Sequence, residues 1–297
     1  MKNISPTIVF FGTEDFSLES LRSLIDANYN IAAVITKPDS KRGRGQLITP
    51  PPVKELAQKH GIQVWQPTNL NSIVSNLKSI GDNITGVLVS YGKIIPQSII
   101  DLFQPGIINV HPSLLPRWRG PSPIEAVIKN GDESTGVTIM QLSAEMDAGP
   151  VYKQVSISLN GAETKPQLYE TLSKLGANLL AETLPAILDG TLKAIPQDNQ
   201  TATYCSLLTQ DDTFLNTNSR NALEVERLVR AHLGFPRSKL IVNDKVIIIT
   251  RSHVSEKGEE PLSIKCRDGL FLSIDELIAP SGRKMSGQDF VNGYAGT

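Results

Sequence analysis

Asn109 and His111 stand two positions apart in the run Ile107-Ile108-Asn109-Val110-His111. In a strand, side chains at i and i+2 share a face, so an amide donor and a proton-carrying ring project together while Ile108 and Val110 project oppositely. Pro112 biases His111 toward extended backbone. Farther along, Asp147 opens the turn Asp147-Ala148-Gly149-Pro150. Taken singly, a histidine is more often a packed or surface ring, and an aspartate in a Gly/Pro turn is more often a turn former. Taken together, the three residues supply a donor, a proton carrier and a carboxylate able to orient the ring and favour its charged form. That set suits acyl transfer through a tetrahedral intermediate. No nucleophile accompanies it: Ser113 lacks a G-x-S-x-G context, and Cys205 and Cys266 lie elsewhere. Direct transfer between two bound substrates therefore fits better than a covalent acyl-enzyme.

The elements that must position these residues read as alternating strands and helices. TIVFF (7–11), IAAVIT (31–36), GVLVS (86–90) and GIINV (106–110) are β-branched or apolar runs, and Leu18, Leu21, Leu24 and Ile25 recur at helical spacing after the first. PQSIIDLF reads as a helix between the last two. Such alternation predicts a parallel-dominated sheet covered on both faces, a Rossmann-like layer structure with its ligand crevice beyond the carboxyl ends of the strands. A long helix follows, with Leu168, Leu172, Leu175, Leu179 and Leu180 on one face and Thr164 as its cap. GTLKAIPQDNQTATYCS is polar and turn-rich and reads as a linker. Beyond it, a helix around 219–232 precedes two strand-turn-strand units turning at Asn243-Asp244 and Asp268-Gly269, the pattern of a small antiparallel, OB-like β-barrel. The expected division is a catalytic domain over 1–190, a linker over 191–206 and a β-barrel domain over 207–297.

The balance of 29 Lys plus Arg against 30 Asp plus Glu excludes a uniformly basic protein, so a nucleic-acid partner would have to be met by local patches. One such patch is the loop TKPDSKRGRGQLITPPP, where Lys37, Lys41, Arg42 and Arg44 face a single acid, Asp39. A second is 220–239, where Arg220, Arg227, Arg230, Arg237 and Lys239 face Glu224 and Glu226, although the segment from 205 onward is neutral as a whole. Either patch could equally be a solvated face. Arg117 and Arg119 fit two readings as well, bracing of Trp118 or contact with RNA. Two isolated cysteines, the absence of a secretory leader pattern and the absence of any apolar run near 20 residues point to a cytoplasmic protein without a membrane span, disulfide framework or zinc site.

Several motifs in the right order resemble the methionyl-tRNA formyltransferase family: IVFFGTEDF, KPDSKRGRGQLITPPPVKELA, INVHPSLLPRWRGPSPI and GVTIMQLSAEMDAG. The core H-x-S-L-L-P is shared with folate-dependent formyltransferases acting on glycinamide ribonucleotide or amino sugar nucleotides, which remain the alternative. The resemblance implies that Asn109, His111 and Asp147 are catalytic, that Ser113, Leu114, Leu115 and Pro116 border the folate, and that Lys41, Arg42 and Arg44 contact the tRNA acceptor stem. It further implies transfer of the formyl group of 10-formyltetrahydrofolate to the α-amine of methionyl-initiator tRNA for translation initiation, by a monomer that needs no metal. Three positions depart from the usual pattern: Glu14, Pro121-Ser122 and Gly234-Phe235-Pro236. They bear on how tRNA is gripped, not on the transfer chemistry. A dinucleotide-binding protein is a weaker reading because FFGTEDF lacks G-x-G-x-x-G. A non-catalytic RNA-binding module is opposed by the intact triad.

Overall fold

The computed structural model describes residues 7–42 and 45–294, without the side chain of Arg42. In chain order the elements are β1 (Thr7–Gly12), α1 (Leu18–Asp26), β2 (Ile31–Ile35), β3 (Ser40–Arg42), β4 (Leu47–Thr49), α2 (Pro52–Lys59), β5 (Gln63–Trp65), α3 (Val74–Ile80), β6 (Ile84–Val89), α4 (Gln97–Ile100) and β7 (Ile107–His111). There follow α5 (Pro123–Asn130), β8 (Ser134–Gln141), β9 (Val151–Ser158), α6 (Lys165–Leu188), α7 (Ala222–Ala231), β10 (Ser238–Val242), β11 (Lys245–Ser255), β12 (Ser263–Lys265), β13 (Phe271–Ile278), β14 (Lys284–Ser286) and α8 (Gly287–Tyr294).

Contacts divide the chain into two compact units. The first takes the residues up to Pro121, Thr135–Ile157 and Tyr169–Tyr204; the second takes Ser122–Ser134, Ser158–Leu168 and the chain from Cys205 onward. This grouping cuts across a division made along the sequence, because α5 packs with α7 in the second unit.

The first unit is built on a seven-stranded sheet in the order β5-β2-β1-β6-β7-β8-β9. The strands from β5 to β7 pair in parallel, and β8 is antiparallel to β7. Every residue of β7 is buried, as are five of the six in β6. Burial at consecutive positions means cover on both faces, the reason these strands read as continuous apolar runs rather than alternating ones. The chain runs outward from β1 to β5 and returns to β6, so the order reverses between β1 and β6. The loops there are knit together by Thr13, whose amide donates to the Ser90 carbonyl at 3.1 Å and whose hydroxyl donates to the Tyr91 carbonyl at 2.9 Å.

Helix α6 fixes β7 from one side. A Cβ on Gly176 would meet Val110 Cγ1 at 2.8 Å, so the glycine allows the helix to lie directly on the strand. Val110 is thereby committed to the core, and the alternation of the strand leaves Asn109 and His111 to the other face.

Beside β6, Tyr91 is fully buried against Phe11, their rings edge to face at 5.7 Å, and its hydroxyl has no hydrogen-bond partner among the described residues. Burial pushes this phenol up to about 12. Because the hydroxyl lost its water without gaining a partner, Tyr91→Phe should be neutral or stabilising by about 1 kcal/mol in urea unfolding. A clear destabilisation would mean that the oxygen is in fact hydrogen-bonded.

The second unit is an antiparallel β domain with sheet order β10-β11-β13-β12, β14 pairing with β13. The β10–β11 hairpin turns at Asn243 and Asp244, both at left-handed φ of 48° and 58°, which matches the twist of paired strands and suits these two residue types. Helix α7 starts at Ala222 rather than near 219 because Asn221 and Glu224 form a reciprocal capping box.

His232, just past α7, is 2 % exposed; its Nδ1 meets the Ser238 hydroxyl at 3.3 Å and its Nε2 has no partner among the described residues. Burial, with Lys129 adding repulsion, lowers its pKa to about 4. Between that value and the ordinary one near 6.5 the unfolded chain binds a proton that the folded chain refuses. The stabilisation from neutral His232 is therefore complete above about pH 6.5 and is lost as pH falls toward 4, on the order of 3 kcal/mol in all and about 2 kcal/mol by pH 5. Urea midpoints at pH 7.5 and pH 5 should differ less for His232→Asn than for the parent chain. An unchanged difference would clear His232 of any part in acid sensitivity.

Candidate active site

The strand β7 delivers Asn109 and His111 at its carboxyl end, each 5 % exposed. His111 Nε2 lies 3.1 Å from the Trp118 carbonyl. A carbonyl only accepts, so this hydrogen bond requires Nε2 to carry the proton. The other ring nitrogen, Nδ1, lies 3.7 Å from Asp147 Oδ2, with the two side chains 6 % and 15 % exposed. The expected histidine–aspartate pair is thus assembled across 36 residues of sequence. Asp147 sits at left-handed φ, 50°, and its Oδ2 also accepts the Gly120 amide at 2.8 Å. Asn109 has no side-chain hydrogen bond among the described residues, although it is almost fully buried. The residue is 5 % exposed but its amide atoms are not among the fully buried unpartnered ones, so the amide keeps an opening through which a substrate carbonyl can be met.

The loop after β7 is held from beneath by β8 and β9. The Thr138 hydroxyl donates to the Ser113 carbonyl at 2.6 Å and accepts the Leu115 amide at 3.2 Å. Gln154 Nε2 donates to that same hydroxyl at 2.8 Å and to the Leu115 carbonyl at 2.7 Å. Within this frame the four loop residues differ. Ser113 is fully buried and its hydroxyl donates to the Arg117 carbonyl at 2.6 Å, and Leu115 is 5 % exposed; both face inward. Leu114 and Pro116 are half-buried and are the pair that presents surface. Thr138 and Gln154 escaped the sequence reading, since hydrogen bonds between strands leave no local pattern.

Of the two RWRG arginines, Arg119 is only 2 % exposed. Its guanidinium donates to Gln197 Oε1 at 2.8 and 3.1 Å, Asn199 Oδ1 at 2.7 Å and the Tyr204 hydroxyl at 3.2 Å. These bonds brace the buried guanidinium within the protein. Arg117 is exposed and lies over the Trp118 ring, 4.6 Å from its centroid.

In the basic loop, β3 and β4 form a short hairpin in which Lys41 pairs with Ile48. Lys41 is exposed. The side chain of Arg42, and Arg44 entirely, lie outside the described residues. Asp39 is held by Lys54 at 2.7 Å and Gln66 at 2.7 Å, contacts that keep its carboxyl below the usual range. The one acid of the loop is therefore already paired. In 220–239, Arg230 pairs with Glu226 at 2.7 Å and donates to the Glu163 carbonyl, and Arg227 donates to the Asn130 carbonyl at the end of α5. Arg237 donates to the Gly234 carbonyl at 3.3 Å and Lys239 lies 5.8 Å from the centroid of the Phe214 ring, so most of the cations in that stretch have contacts within the fold.

Among the described residues no group of three or more His, Cys, Asp or Glu side chains is placed to hold a metal ion, and no helix is long and apolar enough to cross a membrane.

Two family descriptions match the chain: formyl transferase over residues 6–184 and formyl transferase, C-terminal domain, over 207–295. The methionyl-tRNA formyltransferase of Geotalea daltonii is 36% identical over 299 aligned positions, covering 97% of this chain and 95% of that protein. That of Stutzerimonas stutzeri is 37% identical, covering 96% and 94%. Among solved structures, the sugar 3-N-formyltransferase WlaRD, in the presence of dTDP and 5-N-formyl-THF, superposes with a TM-score of 0.69 at 20% identity, covering 91% of this chain and 97% of its own. HypX from Aquifex aeolicus in complex with tetrahydrofolic acid gives 0.67 at 16% identity, covering 98% of this chain and 47% of its own. These two likenesses establish the fold, and the full-length relatives establish the kinship: the chain is a formyltransferase enzyme and belongs to the methionyl-tRNA formyltransferase family.

Proposed function

We propose that this enzyme moves the formyl group of 10-formyltetrahydrofolate to the α-amine of methionine carried on the initiator tRNA, supplying formylated methionyl-tRNA for translation initiation in the cytoplasm and acting as a monomer. The observation that carries the reading is the buried His111–Asp147 pair, 3.7 Å apart, beside an Asn109 amide with no side-chain hydrogen bond among the described residues. Asn109 donates to the formyl oxygen as negative charge develops there, an interaction strongest in the tetrahedral state. His111 takes at Nδ1, the ring nitrogen that the Trp118 bond leaves without a proton, the proton that the attacking amine must lose, and delivers it to the departing folate nitrogen. Asp147 stabilises the charged ring during that interval and holds its orientation. The new carbon–nitrogen bond forms first, to give the tetrahedral state; its collapse breaks the old bond, and the proton ends on the folate.

Leu114 and Pro116 form the half-buried edge on which the flat pterin would rest, while Ser113 and Leu115 support them from inside. Lys41, with Arg42 and Arg44, would meet the phosphates of the acceptor stem, a reading supported by the pairing of Asp39 within the same loop. The acceptor is tested by offering the protein 10-formyltetrahydrofolate with methionyl-initiator tRNA, glycinamide ribonucleotide or an amino sugar nucleotide. N-formylmethionine released after ester hydrolysis is the expected product. Formylation of either small amine in preference to the charged tRNA would replace this assignment with the alternative.

A further inference from the structure

The segment 197–204 lies in a stretch that reads as a linker, yet it grips both sides of the histidine–aspartate pair. On one side, the Trp118 amide donates to the Thr203 hydroxyl at 2.9 Å, the Arg119 amide to the Thr203 carbonyl at 2.9 Å, and the Thr203 amide to the Pro116 carbonyl at 3.1 Å. These bonds fix the peptide whose Trp118 carbonyl accepts from His111 and whose Gly120 amide donates to Asp147. On the other side, Gln197 Nε2 donates to the carbonyl of Asp147 itself at 2.8 Å and to that of Gly149 at 2.7 Å. Its Oε1 meanwhile accepts both bonds from buried Arg119. One amide therefore ties the backbone of the aspartate to the buried arginine beside the loop that accepts from the histidine.

Asp147 needs such a tie. Its left-handed φ of 50° is one that aspartate tolerates in a turn, so the conformer that aims the carboxylate at His111 is set by what holds the turn. Gly149 is closed in as well: a Cβ there would meet the Gln141 carbonyl at 1.9 Å. The carboxylate of Asp147 accepts the Gly120 amide, and its distance of 3.7 Å from the ring leaves little slack for drift before the pairing is lost.

We propose that Gln197, held by Arg119, is a positioning residue for formyl transfer: it fixes the Asp147 backbone so that the carboxylate faces His111. This rests on the proposed role of Asp147. Glutamine is suited to it because one side chain both accepts from a guanidinium and donates to two carbonyls, which a carboxylate cannot do at neutral pH.

Gln197→Glu separates positioning from mere support. The variant keeps, and by charge strengthens, the acceptor for Arg119, so the fold should hold or gain stability. It loses both donations to the Asp147 turn. The expected result is a fall in kcat on the order of ten- to a hundredfold, with the KM for folate nearly unchanged and the urea midpoint unlowered. In an Asp147→Asn background the same substitution should cost nothing further, because the group it positions is already disabled. Wild-type kcat in Gln197→Glu, or a full additional loss in the double variant while Asp147→Asn alone is impaired, would overturn the positioning role and leave the Asp147 reading intact. Near-normal turnover in Asp147→Asn alone would overturn both.

Discussion

Replacing His111 with alanine should lower kcat for formyl transfer by roughly 10²- to 10⁴-fold, the range lost when a positioned acid–base group is removed. The ring is 5 % exposed, donates from Nε2 to Trp118 and faces Asp147 through Nδ1, so it is oriented before any substrate arrives. Its contribution peaks when the amine nitrogen has become cationic and must lose a proton. The loss should therefore appear equally in kcat and in kcat/KM, with KM for the folate little changed. Because alanine leaves a cavity, His111→Gln serves as the partner variant: it fills most of the space and cannot cycle a proton, so its kcat should fall comparably while its urea midpoint stays near that of the parent. Turnover close to normal in the glutamine variant would take proton transfer away from His111.

Asn109→Ala should cost about 10²- to 10³-fold in kcat, the size found when one oxyanion donor is removed from an acyl-transfer enzyme. Here the fold makes an unusual separation possible. The amide makes no hydrogen bond with another described residue although it is buried, so deleting it strands no partner. Stability should then hold within about 1 kcal/mol while activity collapses. Asn109→Asp places a negative charge where the oxyanion develops and should be at least as damaging. Parallel losses of stability and turnover across these variants would instead make Asn109 a structural residue of β7.

Much of this arrangement could be read before any coordinates, and the reason lies in where each signal resides. The runs at 7–11, 31–36, 86–90 and 106–110 became β1, β2, β6 and β7 because strands buried on both faces need consecutive β-branched and apolar residues, a local and redundant signal. Asn243-Asp244 marked its hairpin because both residues tolerate left-handed backbone. The helix read from PQSIIDLF shrinks to Gln97–Ile100: its capping Pro96 is local, whereas its early end at Asp101 is not. The long helix is α6, although Leu175 is only half-buried and Leu184 and Ile187 complete the buried face.

What the sequence concealed depends on partners far away along the chain. Residues 197–204 are polar because their side chains and amides bond to residues about 50 to 85 positions earlier, and polarity without periodicity is indistinguishable from an unstructured connection. Arg119 posed the same problem in reverse: an arginine beside a tryptophan suggests surface stacking, and only the distant Gln197, Asn199 and Tyr204 explain its burial. The association of α5 with α7 was hidden too, since the capping of Asn130 by Arg227 joins segments nearly a hundred residues apart.

The account stands or falls on direct transfer at the Asn109–His111–Asp147 cluster, and a single-turnover experiment with 10-formyltetrahydrofolate labelled in the formyl carbon examines it most directly. Enzyme mixed with the labelled donor alone and quenched should carry no label on protein; on addition of methionyl-initiator tRNA, label should pass to the methionine amine in one kinetic phase. Label bound to protein before the acceptor arrives would contradict direct transfer. Label that never reaches the charged tRNA would contradict the assignment of substrate.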